Sequence, residues 1–293
     1  MAEAPPSSID AITRTALTEA LKNIEKHRDA DVLAIFGPLY ASVENRVRQA
    51  LEMLDGPPSR RKRLIIILDT PGGSIDTAER IVQVTRHFYP DHVAFLVPDR
   101  AMSAGTILAM SGDEIWMDYY SCLGPIDPQV ERRADDGSRF VPALGYLDQY
   151  ERLQAAAAKG RMTQADAILL SKLDLAELRR FELERDRSIE LIKDWLSRYK
   201  FKNWSTTRTT RKKVTKLMRS NRAAQIAKDL QSLKRWGSHS RGITMEVLTN
   251  DLNLVIDDYS QIPGLPELVR TYIGLMRQVV PPQNSFVHSR MFF

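Results

Sequence analysis

The sequence predicts an α/β protein: a parallel sheet with helices outside it. Three observations predict this. The runs 32–36, 64–68 and 93–97 are short, aliphatic and largely uninterrupted by polar residues, as strands buried on both faces must be. Segments with apolar residues at helical intervals separate them. The connections are short, so strand and helix alternate along the chain. At 293 residues the chain is long enough for one large domain or two small ones. A hydrophobic fraction of 43% with 27% charged residues is ordinary for a globular protein.

In chain order, residues 1–8 contain Pro5-Pro6-Ser7-Ser8, which neither continues a helix nor buries apolar surface, and read as a disordered leader. A helix follows over 9–26, a strand over 32–36, and a helix over 43–54 that Gly56-Pro57-Pro58 ends. The second strand is 64–68. A helix over 76–88 carries Asp76 and Glu79 at capping-box spacing, with Pro90 just beyond it. Strand 93–97, a short helix 103–110 and strand 114–117 complete this half. Residues 132–139 read as a polar loop. Region 147–199 reads as long helices interrupted at Lys159-Gly160 and at Leu173-Asp174. Helices are also expected over 223–233 and 244–250, separated by the turn Trp236-Gly237-Ser238-His239-Ser240-Arg241-Gly242. The boundaries are then a core of 9–198, a basic helical C-terminal region of 199–280 completing the fold, and a tail of 281–293.

Chemistry concentrates at two strand-to-helix junctions, Leu68-Asp69-Thr70-Pro71-Gly72-Gly73-Ser74 and Ala101-Met102-Ser103-Ala104-Gly105-Thr106. Adjacent glycines let backbone N–H groups approach a ligand, and a helix N-terminus leaves N–H donors unsatisfied. Both suit a developing oxyanion. Taken bare, Ser103 is as well explained as a helix N-cap. Together with Leu123-Gly124-Pro125-Ile126-Asp127-Pro128-Gln129, these motifs resemble the successive signatures of the Clp-fold serine peptidases, most closely the serine dehydrogenase proteinase branch. The clear resemblance covers 32–130 and weakens from there to about 256. It implies a Clp/crotonase-like fold of stacked strand–helix repeats with a helical C-terminal region. It also implies Ser103 as nucleophile, with the N–H groups of Gly73 and Ala104 as the oxyanion hole.

A serine hydroxyl needs a neighbouring base. Clp proteolytic subunits supply a histidine from the segment matching 121–128; here Ile126 and Asp127 occupy that place, and a histidine–aspartate triad of that kind is not expected. Asp127 reads as a turn residue holding backbone donors. Relatives of signal peptide peptidase A use a lysine from the helices that follow. Lys172, among Ile168, Leu169, Leu170, Leu173 and Leu175, has the most apolar sequence surroundings and is the first choice; Lys159, Lys193 and His239 are the alternatives. Arg187 falls near the relatives' lysine in an ungapped match, and arginine does not act as a base at neutral pH.

The single cysteine, Cys122, excludes an internal disulfide and any multi-cysteine zinc site, and no metal or cofactor is expected. With no signal-like start and no membrane-length apolar run, a cytoplasmic protein is expected. The resemblance implies a peptide or protein substrate and a homo-oligomer. No phosphate-binding glycine loop of the P-loop kind is present, so energy-dependent unfolding would need a partner ATPase. Net charge is +5, and residues 199–228 carry ten lysines and arginines with no acidic residue. The alternative reading is therefore a catalytically silent scaffold or nucleic-acid-associated module, with 210–218, 223–233 and 244–250 as three short helices contacting phosphates.

Overall fold

The structure, a computed structural model, describes residues 8–56, 60–127, 129–134, 137–207, 209–281 and 283–293. Most of the expected leader lies outside them. The first half alternates as its sequence pattern requires: α1 (Ser8–Arg28), β1 (Asp31–Phe36), α2 (Ala41–Leu54), β2 (Leu64–Asp69), α3 (Ile75–Phe88), β3 (Val93–Leu96), β4 (Arg100–Ala101), α4 (Ala104–Ala109), β5 (Glu114–Met117) and β6 (Cys122–Leu123). Then come the hairpin β7 (Gln129–Ala134) and β8 (Gly137–Pro142), followed by α5 (Ala143–Ala158), α6 (Gln164–Ser171) and α7 (Leu175–Trp195), which ends in a π-helical turn, Leu196–Lys200. The chain closes with α8 (Lys216–Leu230), α9 (Leu233–Trp236), β9 (Ile243–Thr244), α10 (Met245–Asn250), β10 (Asp257–Asp258), α11 (Leu265–Val279) and β11 (Phe286–Ser289).

The main sheet has the order β10-β5-β3-β2-β1-β11, parallel throughout except for β11. Its central strands are buried on both faces, which is why they read as continuous apolar runs rather than alternating ones. Leu33, Ile35, Ile66, Leu68 and Phe95 face a core shared with α2, α3, α4, α7 and α8. Val32, Ala34, Ile65, Ile67 and Leu96 face α1 and α11. A smaller sheet, β4-β6-β9, sits beyond the ends of the main strands. Helices α5 and α7 meet around a separate small core of Leu144, Leu147, Leu178 and Phe181.

Four local readings are corrected. Much of the segment read as a polar loop is the paired strands of the β7–β8 hairpin, whose alternation is masked by charge. Helix α3 starts at Ile75 and is capped by Ser74, whose side chain accepts the Thr77 N–H. Residues 210–218 are not a separate helix: α8 runs unbroken from Lys216 to Leu230, so the three-helix unit does not form as read. The expected tail contributes β11, whose Val287, His288 and Ser289 are buried against β1.

Candidate active site

Both glycine-containing turns lie beyond the C-terminal ends of parallel strands, where open α/β sheets place their ligands. The two turns are tied together: the Thr70 N–H donates to Arg100 O at 2.9 Å and the Met102 N–H to Thr70 O at 3.0 Å. On the other side, the Leu39 N–H donates to Gly72 O at 2.8 Å and the Ser74 N–H to Leu39 O at 3.0 Å. That bridge runs through the atoms on either side of Gly73 and does not use the Gly73 N–H. Neither glycine can be replaced without movement. A β-carbon on Gly72, at φ +105°, would stand 2.8 Å from Met102 O and 3.0 Å from Ser103 Cβ; one on Gly73, at φ +149°, would stand 2.5 Å from Leu39 O.

Ser103 precedes α4 with φ +51° and ψ −114°, and its side chain makes no capping hydrogen bond. The bland explanation of this serine, a helix cap, therefore does not hold. Its buried hydroxyl donates instead to the Asp127 carbonyl oxygen at 3.4 Å. A left-handed backbone at a non-glycine residue costs of order 1–3 kcal/mol and persists only where surroundings over-determine it. Thr106 ties this turn to the loop after β6: its hydroxyl lies within hydrogen-bond distance of Ala101 O (2.7 Å) and Gly124 O (2.9 Å), to one of which its single proton goes, and it accepts the Gly124 N–H (3.0 Å). The Ala104 N–H, first in α4, has no acceptor within the helix.

The sequence pattern of the ClpP-like SDH-type serine proteinases matches residues 11–287. The chain belongs to this family. An uncharacterized protein of Methanocaldococcus jannaschii is 31% identical over 263 residues, covering 88% of this chain and 74% of that one. A second from the same organism is 28% identical over 129 residues, 44% of this chain and 38% of its own length. Among solved structures, a serine-to-alanine mutant of the 1510-N membrane-bound stomatin-specific protease aligns at 15% identity and TM-score 0.46, covering 82% of each chain. A lysine-to-alanine mutant of that protease in complex with a substrate peptide aligns at 17% identity and TM-score 0.45, covering 77% of this chain and 73% of that one.

Within this member of the SDH-type family the expected residues fall into two groups. Ser103, Gly73 and Ala104 belong to the two joined turns described above. The lysines lie on the α5–α7 helices: Lys159 just after α5 and Lys172 at the C-cap of α6 are both exposed, and Lys193 is half-exposed and hydrogen-bonded to Glu190. The α6 helix contains no buried residue, so the desolvation on which the choice of Lys172 rested is absent in this chain alone. Its apolar neighbours Ile168 and Leu169 point to solvent at about half exposure. Arg187 ties α7 to α3 through Asp76 and Glu79. The hydrogen bond to Glu79 contributes most to holding its guanidinium above the usual range.

Asp127 holds a backbone donor, as a turn residue would: its Oδ1 accepts the Leu144 N–H at 3.0 Å. It also faces His239, whose Nδ1 lies 3.8 Å from Asp127 Oδ2. Burial raises the Asp127 carboxyl above its usual range, against the Leu144 hydrogen bond and the charge interaction with His239. Sequence reasoning missed this pair, since the two residues stand 112 positions apart.

Four of the ten basic residues of 199–228 are spent on the fold, while Arg211, Lys212, Lys213, Lys216 and Lys228 are exposed. Lys200 pairs with Asp257 and Lys202 with Asp113, while Arg219 and Arg222 donate to the carbonyls of Trp204 and Leu252. Among the described residues no helix is long and apolar enough to cross a membrane, and no cluster of side chains could hold a metal ion.

Proposed function

We propose that the chain is an active serine peptidase that cleaves peptide bonds through an acyl-enzyme on Ser103. The observation that carries the reading is the Ser103 backbone: a strained, non-capping serine at the start of a buried helix, beside a double-glycine turn that admits no side chain. Strain of this kind holds a hydroxyl at a sharp strand-to-helix turn where a substrate carbonyl can reach it. The Gly73 and Ala104 N–H groups would hold the oxyanion, each worth about 3–4 kcal/mol in the transition state. Family membership supports a peptide or protein substrate for this chain.

The assembly in this reading is a homo-oligomer. Ile168, Leu169, Leu175 and Leu183, all more than half exposed on α6 and α7, are surface that a neighbouring copy would cover. A partner ATPase would be needed for folded substrates, and a cytoplasmic location agrees with the single cysteine. A fluorophosphonate probe tests the chemistry. It should label the wild type at Ser103 and leave Ser103→Ala unlabelled; a folded wild-type protein that never labels would sink the reading.

A further inference from the structure

A cavity of about 530 Å³ opens at the end of the main sheet opposite the two glycine-containing turns. The starts of β5 and β10, the π-helical turn after α7 and the end of α10 line it, so it lies apart from Ser103 and the double glycine. Its size is that of a small-molecule pocket, roughly 300–1,000 Å³. Phe201, Trp204, Leu254 and Val255 make an apolar part of the lining. The Phe201 and Trp204 rings meet edge to face at 5.7 Å, and Trp204 Nε1 donates to Thr206 O at 3.1 Å, which holds the indole in place. Val255 is largely exposed, an apolar side chain that a ligand would cover.

Opposite charges are set beside that wall. Lys200 closes the π-helical turn, a local geometry that recurs at functional sites. Its side chain is 5% exposed, and among the described residues its one hydrogen-bond acceptor is Asp257 Oδ2, at 3.5 Å. An ammonium has three N–H donors, so two are left for a ligand. Burying a cation with unmet donors costs free energy that an anionic group recovers. Burial lowers the Lys200 pKa, and the charge of Asp257 works against it. Arg222, also in the lining, donates to the Leu252 carbonyl. The other two carboxylates of the lining are already paired, Asp113 with Arg86 and Lys202, and Glu114 with His92 and Arg63. Asp257 is the half-exposed one, with Lys200 as its partner.

We propose that this cavity binds a free amino acid with a large apolar side chain. The ligand carboxylate accepts from the Lys200 ammonium, the ligand ammonium donates to the Asp257 carboxylate, and the side chain lies against Trp204, Phe201 and Val255. The adjacent opposite charges select a zwitterion: an anion alone would meet Asp257, and a cation alone would meet Lys200. Free amino acids are the class that peptide hydrolysis ultimately releases, but the binding holds whether or not the chain is a peptidase.

Titration calorimetry of the wild type with L-phenylalanine tests this, with tryptophan fluorescence as a second signal. Expected is one molecule per chain with a Kd on the order of 0.1–1 mM. N-acetylphenylalanine lacks the ammonium, phenylalaninamide the carboxylate and glycine the apolar side chain; each should bind about 10-fold more weakly or worse. Lys200→Met and Asp257→Asn should each weaken L-phenylalanine by about 10-fold or more. Where loss of the buried lysine disturbs folding, Thr249→Trp keeps the question open to test: this exposed lining residue, when enlarged, fills the cavity without altering the charge pair and should abolish binding in a protein that melts as the wild type does. No detectable binding of L-phenylalanine at about 10 mM overturns the inference. So does N-acetylphenylalanine or phenylalaninamide binding as tightly as L-phenylalanine, or binding that survives Thr249→Trp. Since Ser103 takes no part, these outcomes are independent of whether the probe labels it.

Discussion

At φ +51°, Ser103 occupies a backbone region that glycine enters without cost and serine does not. Its strain and its chemistry can be separated by two substitutions. Ser103→Ala removes the hydroxyl and keeps the strain. Ser103→Gly removes both, so it should be about 1 kcal/mol more stable than Ser103→Ala in urea unfolding while being equally inert. Equal stabilities would mean that the turn stores nothing. The neighbouring glycines predict the opposite sign. Gly73→Ala drives a methyl to 2.5 Å from Leu39 O and should cost roughly 2 kcal/mol or more. It should abolish labelling too, because the turn carrying one proposed oxyanion donor must move. A Gly73→Ala protein that labels normally would remove Gly73 from the site.

Helices α3 and α7 show why an alignment can name a position but not its job. Arg187, near the place where signal peptide peptidase relatives keep lysine, is committed to Asp76 and Glu79 of α3. Its guanidinium is about two-fifths exposed, so the tie is worth no more than about 1 kcal/mol. Arg187→Met should lower stability by about that amount and leave the labelling rate unchanged; a collapse of the rate at unchanged stability would instead make it part of the site. The first half of the fold was legible because each strand is buried on both faces, as the strands 32–36 and 64–68 show. Helices α5 to α7 were legible through their breaks, at Lys159-Gly160 and at Leu173-Asp174, where Asp174 caps α7. The turn around Gly72 and Gly73 was legible because glycine carries a backbone demand that sequence displays directly, whereas Ser103 was singled out by the motif resemblance and its positive φ was not legible from a serine. The Asp127–His239 contact was not, because a two-residue ladder between β6 and β9 brings it about and so short a strand has no periodicity to read. Lys172 was favoured by apolar sequence neighbours, but on an exposed helix these face solvent, and adjacency in sequence is not burial.

Closure of the whole molecule depends on its last strand. Strand β11 covers the outer edge of β1, and behind it Arg290 joins the buried carboxylates of Glu25 and Asp31. Its His288 is wholly buried, takes a 2.8 Å hydrogen bond with the Tyr272 hydroxyl at Nδ1 and stacks on that ring. Burial lowers its pKa from 6.5 to about 4. At the far end of β2, burial and then the charge of Asp99 raise Asp69 from 3.8 to about 6, against Arg277 and Arg100. The two groups oppose each other across one pH window. The folded state binds the His288 proton more weakly than the unfolded chain, so this contribution is present above 6.5 and is lost as pH falls through about 4. The folded state binds the Asp69 proton more tightly, so that contribution is present below 3.8 and is lost as pH rises through about 6. Each spans about two pH units, or roughly 3 kcal/mol at most. In the wild type they nearly cancel. Asp69→Asn should therefore gain stability over the wild type at pH 7 and little at pH 4, steepening the acid limb. His288→Leu should lose a constant amount for the unpaired Tyr272 hydroxyl and become relatively more stable as pH falls from 6.5 to 4. Urea unfolding of the three proteins from pH 4 to pH 7 measures the differences, in which titrations common to all cancel. Three parallel curves would show that neither burial perturbs its group.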